Sequence, residues 1–146
     1  MTNFQDAIKF TLKWEGGYVN HPTDPGGETR FGISKRSYPD EDIKNLSIAR
    51  AMEIYKKDYW DANLLDTVVS PLCVVLFDMY VNHRPGVVKR LREESADNWQ
   101  TLIQKRKDFY GRLVAQTPSN KVFLKGWMNR SNDLWTYCDI LEHNQT

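Results

Sequence analysis

Trp14-Glu15-Gly16-Gly17-Tyr18, followed shortly by Asp24-Pro25-Gly26-Gly27-Glu28-Thr29, is the stretch on which the reading of this chain turns. Upstream of it, Phe4, Ile8 and Leu12 recur at intervals of four, with Ala7, Phe10 and Trp14 alongside. That spacing is the period of an amphipathic helix. Thr2 with Gln5 predicts a capping box at its start. Gly16-Gly17 predicts its stop, as glycine past a C-cap does, and so leaves Glu15 on the final turn. A carboxylate there opposes the helix dipole, which favours cations at this end. Residues placed against local preference tend to sit at functional sites.

Downstream, His21-Pro22, Asp24-Pro25 and Gly26-Gly27 are closely packed turn signals. Tyr18-Val19 before them, and Thr29, Phe31 and Ile33 after them, alternate as strand residues do. A small β-hairpin or hairpin-like loop is expected, followed by a polar, irregular stretch over residues 34–45. Helices then dominate. Ser47 caps a segment carrying Ile48, Met52, Tyr55 and Tyr59-Trp60. Ser70-Pro71 opens a helix over residues 72–81, with proline at the first helical position; this helix is apolar almost all round and therefore central. Pro85-Gly86 reads as an interruption before a short helix over residues 87–92. Asp97 with Gln100 starts a long helix that Pro118 ends, and Asn120 begins the last. No repeat, linker or low-complexity tract is visible. The expected fold is mainly α: a helical domain with a small β-hairpin beside a cleft. It forms one domain over residues 1–146, with the motif in residues 1–66 and a helical half in residues 67–146.

The chain has 20 basic and 19 acidic residues among its 146, a net charge of +1. That balance gives no long-range field for nucleic acid or an anionic membrane. The basic run Val87-Val88-Lys89-Arg90-Leu91-Arg92, followed by Glu93-Glu94, reads as a solvated helix face. No apolar run approaches the ~20 residues of a spanning helix. A monomer with neither a nucleic-acid partner nor stable membrane insertion is expected. Cys73 and Cys138 lie among apolar residues and read as small core residues; nothing resembles a disulfide framework, which fits a reducing compartment. Met1 to Asp6 lacks a basic stretch followed by an apolar run, so synthesis in a bacterial cytoplasm without a signal peptide is expected, with release by some other agent.

Cleavage of a glycosidic bond needs two carboxyl groups placed about a sugar ring. Glu15 is the leading candidate for the general acid. Such a group must be protonated near neutral pH, and apolar surroundings favour that by penalising the charged form; Trp14, Tyr18 and Phe31 would supply them. Asp24 fits either a second carboxylate that steadies positive charge on the sugar or orients a water, or a turn residue bonded to its own backbone. Thr29 fits either a hydroxyl holding the attacking water or an ordinary strand residue. Gly26-Gly27 read as loop-shaping. Glu28 and Arg30 fall on the strand face opposite Thr29 and Phe31 and are discounted as acids or bases. Tyr18, Trp60 and Asn82 are candidate sugar contacts, since aromatic faces stack on sugar rings and amides bond N-acetyl groups; core packing fits Trp60 equally. His21, His83 and His143 show no metal-ligand spacing, and no phosphate loop or dinucleotide fingerprint occurs, so neither metal nor cofactor is expected. A Cys73–His83 nucleophile pair is discounted because Cys73 is flanked by apolar residues.

Glu15-Gly16-Gly17-Tyr18-Val19-Asn20, then Asp24-Pro25-Gly26-Gly27-Glu28-Thr29-Arg30-Phe31-Gly32-Ile33, resembles the signature of glycoside hydrolase family 108. The likeness continues through Ile54-Tyr55, Tyr59-Trp60-Asp61, Phe77-Asp78 and Val81-Asn82. It ends at Lys125-Gly126-Trp127-Met128-Asn129-Arg130, covering nearly the whole chain. The resemblance implies an N-acetylmuramidase of bacterial or phage type, related in fold to lysozyme. It would act on peptidoglycan glycan strands as a phage or prophage endolysin, with Glu15 as the catalytic glutamate. The spacing of Glu15, Asp24 and Thr29 is also similar to the Glu/Asp/Thr triad of tailed-phage lysozymes, where the threonine falls one residue later. That likeness implies a water-positioning pair in Asp24 and Thr29. A loop Asp and a Thr suit an oriented water better than a covalent bond, so inversion is expected. The chain departs from the family pattern after Asn82, where a longer segment with a Leu-Gln pair and an Asp-Gly turn is missing. The alternative is a non-catalytic peptidoglycan-binding or structural protein on a lysozyme scaffold, which would have no use for the acid at Glu15.

Overall fold

The computed structural model describes residues 2–20 and 27–145. The chain forms two compact units, Met1–Leu64 and Leu65–Thr146. The described residues hold six α-helices and one three-stranded antiparallel sheet, the mainly helical, lysozyme-like combination that the sequence predicts. No described helix is long and apolar enough to cross a membrane.

In the first unit, α1 (Asn3–Trp14) begins with the predicted capping box. The Gln5 amide N–H donates to Thr2 Oγ1 at 3.1 Å, and the Thr2 N–H donates to Gln5 Oε1 at 2.8 Å. Such a cap stabilises a helix by about 1 kcal/mol. Phe4, Ala7, Ile8, Phe10 and Thr11 form its buried face. The helix ends differently from expectation. Glu15 itself leaves the helix, at φ −84° and ψ 133°, while its N–H still donates to the Thr11 carbonyl at 3.0 Å. Neither Gly16 nor Gly17 has the positive φ of a glycine cap, and a Cβ at either would meet nothing within 4 Å.

The predicted hairpin is a three-stranded sheet: β1 (Val19–Asn20), β2 (Glu28–Arg30) and β3 (Ile33–Ser34). Val19 pairs with Thr29, and Arg30 pairs with Ile33. Phe31, expected as a strand residue, instead shares a two-residue turn with Gly32, at φ 53° and 80°. Two positive φ values mark the type I′ turn, whose twist matches that of the flanking strands. Residues 34–45 are irregular as expected, apart from a 3₁₀ turn at Ile43–Asn45. Ser47 caps α2 (Ile48–Tyr55), accepting from the Arg50 N–H at 3.0 Å. The chain then widens into a π-helical turn, Lys56–Asp61, in which the Ala62 N–H reaches back five residues to the Lys57 carbonyl.

In the second unit, α3 (Leu72–Asn82) is buried continuously from Leu72 to Met79, as its apolar composition predicts. Pro71 stands at its N-cap, one position before the expected place. Pro85 does not interrupt a helix but starts one: α4 spans Pro85–Ser95 with proline in the first turn, where its missing N–H leaves nothing unsatisfied. The cap of α5 (Trp99–Gln116) is Asn98, which accepts from the Thr101 N–H at 2.8 Å. Asp97, the expected starter, lies at φ 61° and accepts from Arg92 Nε at 2.7 Å. α6 (Lys121–Asn144) follows a 3₁₀ turn at Pro118–Asn120. Cys73 and Cys138 are buried and not joined in a disulfide.

One charged group interrupts the apolar surface of α3. Asp78 and Arg106 have no exposed side-chain surface, and Arg106 Nη1 donates to Asp78 Oδ2 at 2.8 Å. Arg130 Nη2 donates to Asp78 Oδ1 at 2.7 Å, and its Nε donates to Oδ2 at 3.1 Å. Burial opposes the charge on Asp78, but attraction to Arg106 and Arg130 outweighs it and holds the carboxyl at about 2. Removing one partner from a buried pair costs roughly 3–5 kcal/mol. Arg106 Nε also donates to His83 Nε2 at 3.1 Å. Burial, then the neighbouring Arg106 charge, lowers the His83 imidazole to about 3.

Stability in acid follows from these groups. Between the ordinary histidine value of 6.5 and about 3, the unfolded chain carries a proton on His83 that the folded chain excludes. Stability therefore falls as pH drops through that window. Asp78 acts in the same direction lower down: its contribution is present above 3.8 and lost as pH falls toward about 2. We predict that the melting temperature declines on acidification from pH 6.5. His83→Gln should flatten the decline between about pH 6 and 4; an unchanged slope in thermal melts of the variant would contradict this assignment.

Candidate active site

Glu15 sits where α1 gives way to the sheet, and three observations describe how it is held. The Phe31 N–H donates to the Gly16 carbonyl at 3.0 Å, which ties the residue after Glu15 to the β2–β3 turn. Gly32, in that turn, lies directly against the Glu15 carboxyl group: a Cβ there would stand 2.8 Å from Glu15 Oε2 and 2.9 Å from its Cδ. The same Cβ would stand 2.6 Å from Tyr55 Oη. The carboxylate and the phenol thus converge on one bare stretch of backbone. Tyr55 is buried, and its hydroxyl donates to the Phe31 carbonyl at 2.5 Å. Tyr59, whose ring lies 5.2 Å from that of Tyr55, also faces this group. Burial chiefly, then the charges of Asp58 and Glu15, push its phenol above the ordinary value.

The opposite face of β2 is occupied by another set of contacts. Tyr18 Oη donates to Glu28 Oε2 at 2.5 Å, and the Arg30 guanidinium lies 5.3 Å from the Tyr18 ring centre. Arg30 continues to the carbonyls of Ile43 and Lys44, at 3.3 and 2.7 Å, and so anchors the sheet to the 3₁₀ turn. Alternation along a strand places Thr29 on the other face from Glu28 and Arg30, as the sequence predicts. Tyr18 therefore shares the face of Glu28 and Arg30 rather than that of Thr29. Its hydroxyl is engaged by Glu28, which raises its pKa.

Trp60 requires a correction. It is fully buried, edge-on to Phe4 with ring centres 5.5 Å apart. A side chain with no accessible surface offers no face to a sugar, so we assign Trp60 to packing. The π-helical turn that carries it leaves no trace in an apolar pattern read with an α-helical period. Asp24 lies outside the described residues. Asn82 belongs to the second unit. With its amide oriented by its surroundings, the oxygen accepts from Arg106 Nη2 and Arg130 Nη2 at 3.0 Å each. Among the described residues, no three His, Cys, Asp or Glu side chains are grouped as the ligands of a metal would be.

Gly32 and Tyr55 are the residues whose roles the sequence reading missed. For Gly32 the signal was present, because glycine following an aromatic residue between two strand-like pairs suits a turn. For Tyr55 there was none: it reaches across 24 residues to Phe31.

The class to which this arrangement belongs is glycoside hydrolase. A family model described as glycosyl hydrolase 108 matches residues 8–83, more than half of the chain, and the chain belongs to that family. Among solved structures it is similar to the structure of Brucella abortus SagA. The TM-score is 0.72 over 92% of each chain at 21% identity, a likeness of fold. No curated protein matches the chain.

The geometry at Gly32 makes a sharp prediction. At φ 80° any side chain is strained, by roughly 1–2 kcal/mol, and a methyl group would strike both Tyr55 Oη and the Glu15 carboxylate. Gly32→Ala should lower hydrolytic activity at least tenfold by displacing Glu15, and lower the melting temperature modestly. Activity within twofold of the parent would show that the carboxylate does not depend on this contact.

Proposed function

We propose that the chain is an N-acetylmuramidase, hydrolysing the β-1,4 bond between N-acetylmuramic acid and N-acetylglucosamine in peptidoglycan, with Glu15 as the general acid. The observation that carries this reading is the setting of Glu15. A carboxylate at a helix end rests on the backbone of Gly32 beside the phenol of Tyr55, so its position is set by rigid neighbours. Such preorganisation supports a general-acid role, which requires the donor's distance from a leaving oxygen to be set in advance. Glu15 gives its proton to the glycosidic oxygen as the bond to the anomeric carbon breaks. A water oriented by Asp24, Thr29 or both adds to that carbon, and its proton passes to the Asp24 carboxylate as general base. Thr29 suits the task because its face of β2 is not the one taken by Glu28, Arg30 and Tyr18. We favour inversion, for which the two carboxyl groups stand roughly 6.5–9.5 Å apart with the water between them.

The family membership supports a glycosidase, and the matched motif around Glu15 supports peptidoglycan as its substrate. The biological setting we propose is that of a phage or prophage endolysin, made in the host cytoplasm and acting as a monomer on the wall after release.

Glu15→Gln removes the ionisable group with little change in size. On purified cell walls it should release reducing ends at least 10²-fold more slowly than the parent, the scale of general acid catalysis, with an unchanged melting temperature within a few degrees. Undiminished release would remove Glu15 from the mechanism.

A further inference from the structure

In the second unit α5 and α6 form an antiparallel hairpin. At one end the Trp99 indole N–H donates to Glu142 Oε2 at 2.5 Å; toward the other, the rings of Tyr110 and Trp127 stack with centres 4.8 Å apart. The chain turns over at Pro118–Asn120. We propose that the tip of this hairpin, through Arg112, Lys121, Val122, Phe123 and Lys125, is a docking surface for an anionic lipid layer, to which the chain adsorbs without crossing it. The proposal is independent of the hydrolytic reading.

Two features coincide at the tip. The first is charge. No Asp or Glu occurs between Asp108 and Asp133, whereas Arg112, Lys121, Lys125 and Arg130 all fall inside that interval. Arg130 is committed to Asp78. The other three are exposed, and no described carboxylate pairs with them. Exposed cations on other parts of the surface are met, as Arg50 is by Glu41 and Glu53, and Lys56 by Asp61. The second feature is apolar surface. Val122 and Phe123 are adjacent and show 79% and 55% of their area to solvent. Leu113, Val114 and Leu124 are half-buried at the same end of the hairpin. The Phe123 ring is held in place: it stacks on Trp127 with centres 5.7 Å apart, and Trp127 stacks in turn on Tyr110. Single exposed apolar residues are ordinary, but adjoining ones rimmed by polar groups mark an interaction surface.

The combination selects the occupant. A lipid surface takes both features at once, since basic heads reach the headgroup phosphates while apolar side chains enter the boundary with the acyl chains. A nucleic acid would satisfy the cations and leave Val122 in water. A second copy, joined about a two-fold axis, would set the same unpaired cations against one another, which is costly. The net charge of +1 is no obstacle. At physiological ionic strength fields fade within about 8 Å, so the local charges decide. Each basic side chain beside an anionic membrane strengthens binding about fivefold.

The test is flotation of the full chain with vesicles of phosphatidylglycerol and phosphatidylethanolamine, against vesicles of phosphatidylcholine alone, at low and high salt. We expect binding to the anionic vesicles that weakens as salt rises, and at least tenfold weaker binding to the neutral ones. Val122→Asp, and Lys121→Gln combined with Lys125→Gln, should each weaken binding at least tenfold. Both variants should melt close to the parent, because all three side chains are exposed. Glu15→Gln should bind as the parent does. Equal binding to both kinds of vesicle, binding that neither variant weakens, or no binding at millimolar lipid would overturn the proposal. So would a short DNA duplex that binds as tightly and depends on the same lysines, which would make the tip a general polyanion site. A dimer of the free chain in sedimentation velocity that Val122→Asp dissolves would assign the surface to a second copy instead. The vesicles contain no glycan. Loss of adsorption with intact wall digestion would therefore refute this surface alone, and adsorption without wall digestion would refute the hydrolytic reading alone.

Discussion

A side chain at position 32 has nowhere to go. The backbone there turns through φ 80°, and the space a Cβ would fill is already taken by the Glu15 carboxylate and the Tyr55 hydroxyl. This close approach joins three separate pieces of the first unit. The end of α1 is brought to the sheet by the bond from the Phe31 N–H to the Gly16 carbonyl, and the end of α2 is brought there by the bond from Tyr55 to the Phe31 carbonyl. A carboxylate that the helix dipole disfavours at a C-terminus is thereby given a fixed seat. The arrangement suits the general-acid role proposed for Glu15, because a proton donor is useful only when its distance from the bond is set in advance.

The second unit is governed by a different constraint. From Leu72 to Met79 α3 is buried and, but for Asp78, apolar, and a carboxylate in that position persists only if its charge is met. Arg106 from α5 and Arg130 from α6 meet it. A buried ion pair of this kind contributes little net stability over an apolar substitute; its effect is to fix which faces of α5 and α6 turn toward α3. These helices bound a small cavity lined by Tyr110, Trp127 and Arg130.

Much of this was legible in the chain. The capping box at Thr2, the cap at Ser47 and the buried run of α3 are local signals, and local signals survive in one dimension. Glu15 stood out for the same reason, as a carboxylate at the wrong end of a helix. Other features were hidden by their geometry. Phe31 alternates with Thr29 and Ile33 as a strand residue would, yet a two-residue turn falls there. In sequence Trp60 fits a sugar contact and core packing equally; it lies in a π-helical turn and is fully buried. Asp78 was visible as a lone charge in an apolar run, and that alone signals a partner, but Arg106 and Arg130 lie 28 and 52 residues away and no periodicity points to them.

The proposed reaction cuts one specific bond in peptidoglycan. The most direct measurement is the identity of the new chain ends. Purified walls digested with the protein are reduced with borohydride, and the soluble fragments are sequenced by mass spectrometry. Cleavage by an N-acetylmuramidase leaves newly formed ends that carry reduced N-acetylmuramic acid. Ends carrying reduced N-acetylglucosamine, or released amino groups with no new reducing ends, would contradict it.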